Sequence, residues 1–301
     1  MMCVMDLPLE LHIRPLMMDD AVRVADLMRA SEVHELGQSL VDDEDIVGDW
    51  RRPSFDLASE SIGVLDGATL VAYAEVFKGR YADATVHPGQ RGRGIGTALA
   101  GWIQARARAD GGTLVGQTVP SGGDAERLLE SLGYHERWTT WVLELPGGSV
   151  IEPQPPNRGY AIREMRSGDE LAAYQLIEDA FSEWPDRQPS MFDDWAAGVV
   201  LRPGFEPWQL RLVCDAVGTP VGVSFLILSG ECGYVDKLAV RADHRGRGLA
   251  RALLADSFEV ARSRGARRSE LSTDSRAGAL GLYQRVGMEV TSTWRHLAIT
   301  V

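Results

Sequence analysis

Short apolar runs alternate with amphipathic stretches along this chain, and the order of the two repeats itself. Leu11 to Arg14 reads as a strand and Ala21 to Ala30 as a helix. Ser61 to Leu65 and Thr69 to Val76 read as strands around Asp66-Gly67, a dipeptide suited to a hairpin because glycine accepts a positive φ. Tyr81 to Val86 predicts another strand, and Ile95, Leu99, Trp102 and Ile103 then fall on one stripe of a helix. A strand from Thr113 to Val119, a short helix and C-terminal strands close this half. The second half runs in the same order: strand Tyr160 to Arg163, helix Leu171 to Phe181, strands Leu210 to Asp215 and Val221 to Leu228, strand Tyr234 to Val240. Its next helix carries Ala250, Leu254, Phe258 and Ala261 on one stripe, followed by a strand from Ser269 to Thr273.

One phrase is written in both halves. Arg91-Gly92-Arg93-Gly94-Ile95-Gly96 returns as Arg245-Gly246-Arg247-Gly248-Leu249-Ala250, an offset of 154 (245 − 91). Leu132-Gly133-Tyr134 and Val286-Gly287-Met288 keep that offset. A duplicated unit gives two domains of one fold. The Pro/Gly-rich stretch from Pro146 through Pro153, Pro155 and Pro156 to Gly159 reads as the linker, so the domains are 1–150 and 158–301.

Composition narrows the function. The 301 residues, 45% hydrophobic and 25% charged, suffice for two cores. A formal net charge of −12 argues against nucleic acid, whose phosphates need a basic face. The basic residues cluster locally instead, in the two glycine loops and from Arg262 to Arg268, which suits a small anion; the latter group also suits a helix end. Cys3, Cys214 and Cys232 form no disulfide framework, the N-terminus shows no signal peptide, and no apolar run nears the ~20 residues of a membrane span. A cytoplasmic protein is expected. The six histidines show no metal-binding spacing, and His87 and His244 merely flank the loops.

A strand turning sharply into a helix leaves N–H groups free at the helix start, where the macrodipole is positive. Gly92, Gly94 and Gly96 strip Cβ atoms from that backbone, Ala250 is the smallest substitute for the third, and the arginines add charge-assisted hydrogen bonds. The pattern asks for a diphosphate. Neither copy ends in the lysine of the nucleotide-kinase loop, and neither has the spacing of the dinucleotide fingerprint. What remains, Q/R-x-x-G-x-G/A, resembles the coenzyme A loop of the GNAT N-acetyltransferases, over nearly the whole chain and in tandem.

That resemblance implies an α/β (α+β) fold, each domain a mixed, mostly antiparallel sheet flanked by helices and splayed between its fourth and fifth strands. It implies acetyl-CoA as co-substrate in the gap, and no metal. Carried over by position, it implies that Leu238, Ala239 and Val240 meet the pantetheine arm. Arg245, Gly246, Arg247, Gly248, Leu249, Ala250 and Arg251 would then cradle the pyrophosphate, with Ser275 also at the coenzyme. The matching positions of the first half are Ala84, Val86, Arg91, Gly92, Arg93, Gly94, Ile95, Gly96 and Thr97.

Acetyl transfer to an amine needs a base for the amine, a donor for the oxyanion and a proton for the departing thiolate. In the family the acid is often a tyrosine in the context A-x-x-L/F-Y-x-x-x-G-F/Y/M, which Ala279 to Met288 matches with Tyr283. The same offset leads to Leu129 in the first half, which cannot transfer a proton. The first domain is therefore expected to hold coenzyme in a structural or regulatory role, unless Tyr134 or solvent supplies the proton. For the base, Asp236 shares a face with Leu238 and Val240 by regular strand alternation, and Glu231 and Glu183 are alternatives. Glu178, Asp179, Phe181, Glu183, Trp184 and Asp186 could pocket a cationic amine, or cap helices and fill core. The segments from Val33 to Pro53 and Ser182 to Pro207 suit either lids or surface elaborations.

The expectation is a tandem acetyltransferase acting on a small-molecule amine, with chemistry mainly in the C-terminal domain, as a monomer or homodimer. Acylation of a protein N-terminus or lysine, and a non-catalytic acetyl-CoA sensor, are the alternatives.

Overall fold

The computed structural model describes residues 7–39, 41–152, 159–185 and 187–301. Cys3, Asp186 and the prolines at 153, 155 and 156 lie outside them. The first half contains β1 (Leu11–Arg14), α1 (Ala21–Leu36), α2 (Asp43–Trp50), α3 (Leu57–Glu60), β2 (Ser61–Asp66), β3 (Thr69–Phe77), β4 (Tyr81–Val86), α4 (Ile95–Ala109), β5 (Leu114–Pro120), α5 (Asp124–Ser131) and β6 (His135–Glu144). The second contains β7 (Ala161–Glu164), α6 (Glu170–Phe181), α7 (Phe192–Gly198), β8 (Leu210–Cys214), β9 (Pro220–Ser229), β10 (Cys232–Val240), α8 (Leu249–Ser263), β11 (Arg268–Asp274), α9 (Leu280–Arg285) and β12 (Glu289–Thr300). The helix α1 overruns its sequence estimate because nothing breaks it before Gly37, which ends it at φ 77°.

Both halves start their first helix with one device. Arg14 donates to the two carboxylate oxygens of Asp20 at 2.6 and 2.8 Å, and Asp20 also accepts the Met17 N–H at 2.9 Å. Arg163 and Asp169 repeat this at 2.5 and 2.9 Å, with the Arg166 N–H at 2.7 Å. The hydrogen-bonding arginine holds each aspartate below the usual carboxylate range.

The chain divides into two compact units, Met1–Thr139 with Thr293–Val301, and Thr140–Ser292. Unit 1 orders its strands β1-β2-β3-β4-β5-β12, and unit 2 orders its own β7-β8-β9-β10-β11-β6. Among the described residues, β4/β5 and β10/β11 are the parallel pairs of these sheets and the other pairs are antiparallel. Sequence order gives each half its own closing strands, and here the structure differs. Trp294 to Thr300 of β12 pair with β5, and Thr140 to Glu144 of β6 pair with β11. Both strands begin polar and turn apolar toward their C-terminal ends, so local pattern does not say which edge each will join.

Helices cover both faces of each sheet, which is why β2 and β9 are apolar almost throughout. In unit 1, α4 buries Ile95, Leu99 and Ile103 on one face, while α1 and α2 bury Val24, Leu27 and Trp50 on the other. In unit 2, α8 buries Leu254 and Phe258, and α6 and α7 bury Ile177 and Trp195. Trp50 and Trp195 thus anchor part of each suspected lid as core.

Candidate active site

The glycine loops fold alike. Gly92 and Gly94 take φ of 76° and 80°, Gly246 and Gly248 take 74° and 76°, and each second glycine caps the helix that follows. This left-handed pair is what the glycines supply, since a Cβ at any of the four meets nothing within 4 Å. Gly96 lines the cavity and has a packing role as well: a Cβ there would come 2.8 Å from Leu128 Cδ2, so the third glycine lets α4 pack on α5. The helical ladder restarts at Ala98 and Ala252, whose N–H groups donate to Gly94 and Gly248 at 3.0 Å. The first-turn amides before them have no intrahelical acceptor and suit an anion.

Beside each cradle runs an uncovered strand edge. The β10/β11 pairing ends at Val235, and β4 pairs with β5 only at Tyr81. Because the His87 N–H donates to Val71 O at 2.9 Å, alternation turns the main chain of Ala84 and Val86 away from β3, toward the open side. Arg241 bonds Val221 O in the same way, which turns Leu238 and Val240 outward. An extended arm carrying amides can pair there.

The loop arginines are engaged by their own chain. Arg91 Nε reaches Val86 O at 3.5 Å while its fork meets Ser31, Glu35 and Asp124. Arg245 Nε donates to Val240 O at 3.0 Å, and its fork pairs with Glu183 at 2.7 and 2.9 Å. Arg93 pairs with Glu10, and Arg247 donates to Tyr160 Oη at 2.6 Å. A pyrophosphate would therefore trade places with carboxylates. Arg251 Nε is buried without a partner among the described residues, Ile95 and Leu249 sit buried at their helix starts, and Ser275 lies exposed just after β11.

In unit 1 the cradle, the open edge of β4 and α1 enclose a cavity of about 590 Å³, bordered by Glu32, Asp83, Ala84, Gly94, Thr97, Gln117 and Leu129. That volume is in the range of small-ligand sites. Gln117 is 8% exposed and its Oε1 has no partner among the described residues, so the wall holds an acceptor awaiting an N–H. Coenzyme A offers such amides, and the residues present fit it. Tyr134 is not on this wall; its hydroxyl accepts from Gln104 Nε2 at 3.4 Å.

Unit 2 places Tyr283 on α9, 7% exposed within the cluster of Val235, Leu254, Phe258 and Leu271, and burial pushes its phenol up to about 12. Asp236 falls where the β9/β10 register shifts, with Val235 opposite Leu226 and Lys237 opposite Phe225. Regular alternation does not carry across that bulge, so the shared face inferred for Asp236 lapses. Its carboxylate pairs with Lys237 Nζ at 2.8 Å. Glu231 stands at the opposite end of β10 from the cradle, roughly 30 Å away by strand rise, and pairs with Arg267. Glu183 is held below the usual carboxylate range by Arg245, which weakens it as a base. The aromatic faces of Phe181 and Trp184 already carry Arg187 and Arg276 at 5.6 and 4.7 Å.

Sequence reasoning passed over a polar group in unit 1: Tyr73, Glu75, Asp83 and Thr85. Tyr73 lies opposite Thr85 and Glu75 opposite Asp83 across β3/β4. The available signal was a single carboxylate in each of two strands that otherwise read as core.

The family model described as Acetyltransferase (GNAT) family matches residues 23–134 and 171–288. This chain belongs to the GNAT acetyltransferase family. Among its GNAT relatives, the mycothiol acetyltransferase of Salinispora arenicola is 30% identical over 75% of this chain and 75% of its own. The GCN5-related N-acetyltransferase from Sphaerobacter thermophilus superposes with a TM-score of 0.75 at 29% identity, covering 98% of this chain and 96% of that one. A tandem GNAT protein from the clavulanic acid biosynthesis pathway shares the fold at TM-score 0.70 and 18% identity, over 97% and 98% of the two chains. The chain is an N-acetyltransferase of a family that uses acetyl-CoA. No described helix is long and apolar enough to cross a membrane.

Proposed function

We propose that this GNAT enzyme moves the acetyl group of acetyl-CoA onto the amine of a small molecule, with unit 2 carrying out chemistry through Tyr283. The observation that carries the reading is the repeated coupling of an anion-binding helix start to an uncovered strand edge. A phosphate at the first and an amide-bearing arm along the second is how a coenzyme A thioester presents itself. A small acceptor suits the size of the unit 1 cavity and the naming of relatives as mycothiol acetyltransferases. In unit 2 the amides of Gly248 to Arg251 hold the anion, Leu238 and Val240 line the arm, and Tyr283 keeps its proton until a thiolate forms nearby. A phenol near 12 is fully loaded at neutral pH but gives its proton uphill to a thiolate whose thiol has a pKa of ~8.5, so it acts late, as the carbon–sulfur bond breaks.

Thiol release from acetyl-CoA with glucosamine and a panel of primary amines tests this. Tyr283→Phe should lower kcat at least about tenfold, with acetyl-CoA affinity by calorimetry unchanged. Equal turnover in the two proteins removes Tyr283 as the acid, and absence of coenzyme binding removes the whole reading.

A further inference from the structure

Unit 1 has lost the family's tyrosine, yet its cavity wall carries an acid–base group that unit 2 lacks. Asp83 opens onto the cavity, and the Ala84 N–H on the uncovered edge donates to its carboxylate. Tyr73, 1% exposed, hydrogen-bonds Asp83 and Thr85. Glu75 sits directly across from Asp83 and accepts from Trp50 Nε1 at 2.8 Å.

These residues are not demanded by the fold. Ala72 pairs with Val86 in unit 1 as Gly222 pairs with Val240 in unit 2, which aligns the two hairpins. On that register, unit 2 places Val223 and Ala239 where unit 1 has Tyr73 and Thr85, and Phe225 and Lys237 where unit 1 has Glu75 and Asp83. The same architecture is thus built with an apolar pair and a lysine. Two adjoining carboxylates without a hydrogen-bonded cation cost stability, and such cost concentrates where chemistry needs it.

We infer that unit 1 is a second acetyl-transfer centre, in which Asp83 is the catalytic base for an acceptor amine in the cavity and Glu75 is a positioning residue that governs its proton. This rests on the reading that the unit 1 cradle binds acetyl-CoA. Asp83 as carboxylate takes one proton from the acceptor's ammonium group. The freed nitrogen pair forms the bond to the acetyl carbonyl carbon, and the carbon–sulfur bond breaks with its electrons going to sulfur. The thiolate takes the second proton from that nitrogen, which makes a tyrosine at position 129 dispensable, and Asp83 returns its own proton to water. Burial, then the neighbouring Asp83 charge, push Glu75 up to about 8, and burial raises Asp83 as well. Glu75 therefore keeps its proton at neutral pH beside Asp83, and a raised carboxyl is the better base toward an amine. The charged and titratable groups around the pair are Tyr73 on β3, Asp49 on α2 and Arg52 just after it, and Glu32 and Glu35 of α1 border the same cavity.

The test uses the full chain with Tyr283→Phe as background, acetyl-CoA, and the amine panel. Calorimetry should give two coenzymes per chain, unchanged by Asp83→Asn. Residual acetyl transfer should fall roughly 10²–10⁴-fold in Asp83→Asn and recover partly in Asp83→Glu. Glu75→Gln should remove the step near pH 8 from its kcat/KM profile. Two coenzymes bound with residual transfer indifferent to Asp83, or with no transfer once Tyr283 is gone, overturns the second centre while leaving the coenzyme reading intact. One coenzyme bound, at the unit 2 loop alone, overturns both the cradle assignment and this inference. If no amine is acetylated even by the wild type, infrared titration decides. A protonated carboxyl band at pH 7 that disappears in Glu75→Gln and shifts with acetyl-CoA supports the pair, and its absence ends the proposal.

Discussion

Glu75 has a carboxyl near 8 in the folded chain against an ordinary value of 4.5, so the fold favours its neutral form. A raised acid contributes its stability fully below the unfolded value and loses it as pH climbs toward the folded one. Between about pH 5 and pH 8, the melting temperature of the wild type should therefore decline relative to Glu75→Gln, a difference that differential scanning fluorimetry across pH will read. Asp20 and Asp169 have the opposite sign, because arginine holds them low and their contribution fades only in acid. Asp20→Ala leaves Arg14 and the Met17 N–H without their acceptor and should cost about 1.5–3 kcal/mol, read as a lowered denaturation midpoint at neutral pH.

At the scale of elements, the two cradles depend on a backbone conformation that only glycine adopts cheaply. Gly94→Ala and Gly248→Ala force a side chain into the left-handed region at a cost of about 1–2 kcal/mol. Each should weaken acetyl-CoA binding in its own unit by roughly 5- to 30-fold, visible as one of two calorimetric sites moving. The cradles and the strand–helix order were legible because glycine placement, stripes such as Leu254 with Phe258, and the Asp66-Gly67 turn are local signals. The bulge at Asp236 was not, because it is set by how β9 and β10 mesh rather than by any residue type. Phosphate space accounts for Gly96 only in part, because Leu128, far along the chain, also leaves no room for a Cβ there. Glu75 and Asp83 escaped notice because their meaning appears only when β3 and β4 bring them face to face.

For the whole molecule, the closing strands are exchanged, and that separates sequence halves from structural units. Deleting residues from Thr293 onward should leave unit 2 folded and strip unit 1 of the strand beside β5. Hydrogen exchange should then show protection lost from Leu114–Pro120 and kept in Cys232–Val240, whereas contiguous halves would have predicted the reverse. The division between the units falls at Thr139/Thr140, ahead of the Pro/Gly-rich stretch, and Ile151 packs with Leu143 and Leu145 in the core of unit 2. The exchange also orders events in time. As the chain leaves the ribosome, β5 emerges with its outer backbone groups bare, and the residues that will cover them are translated only after all of Thr140–Ser292. Until then that rim invites stray pairing, so the nascent first half is the stage at which chaperones and dilution should matter most.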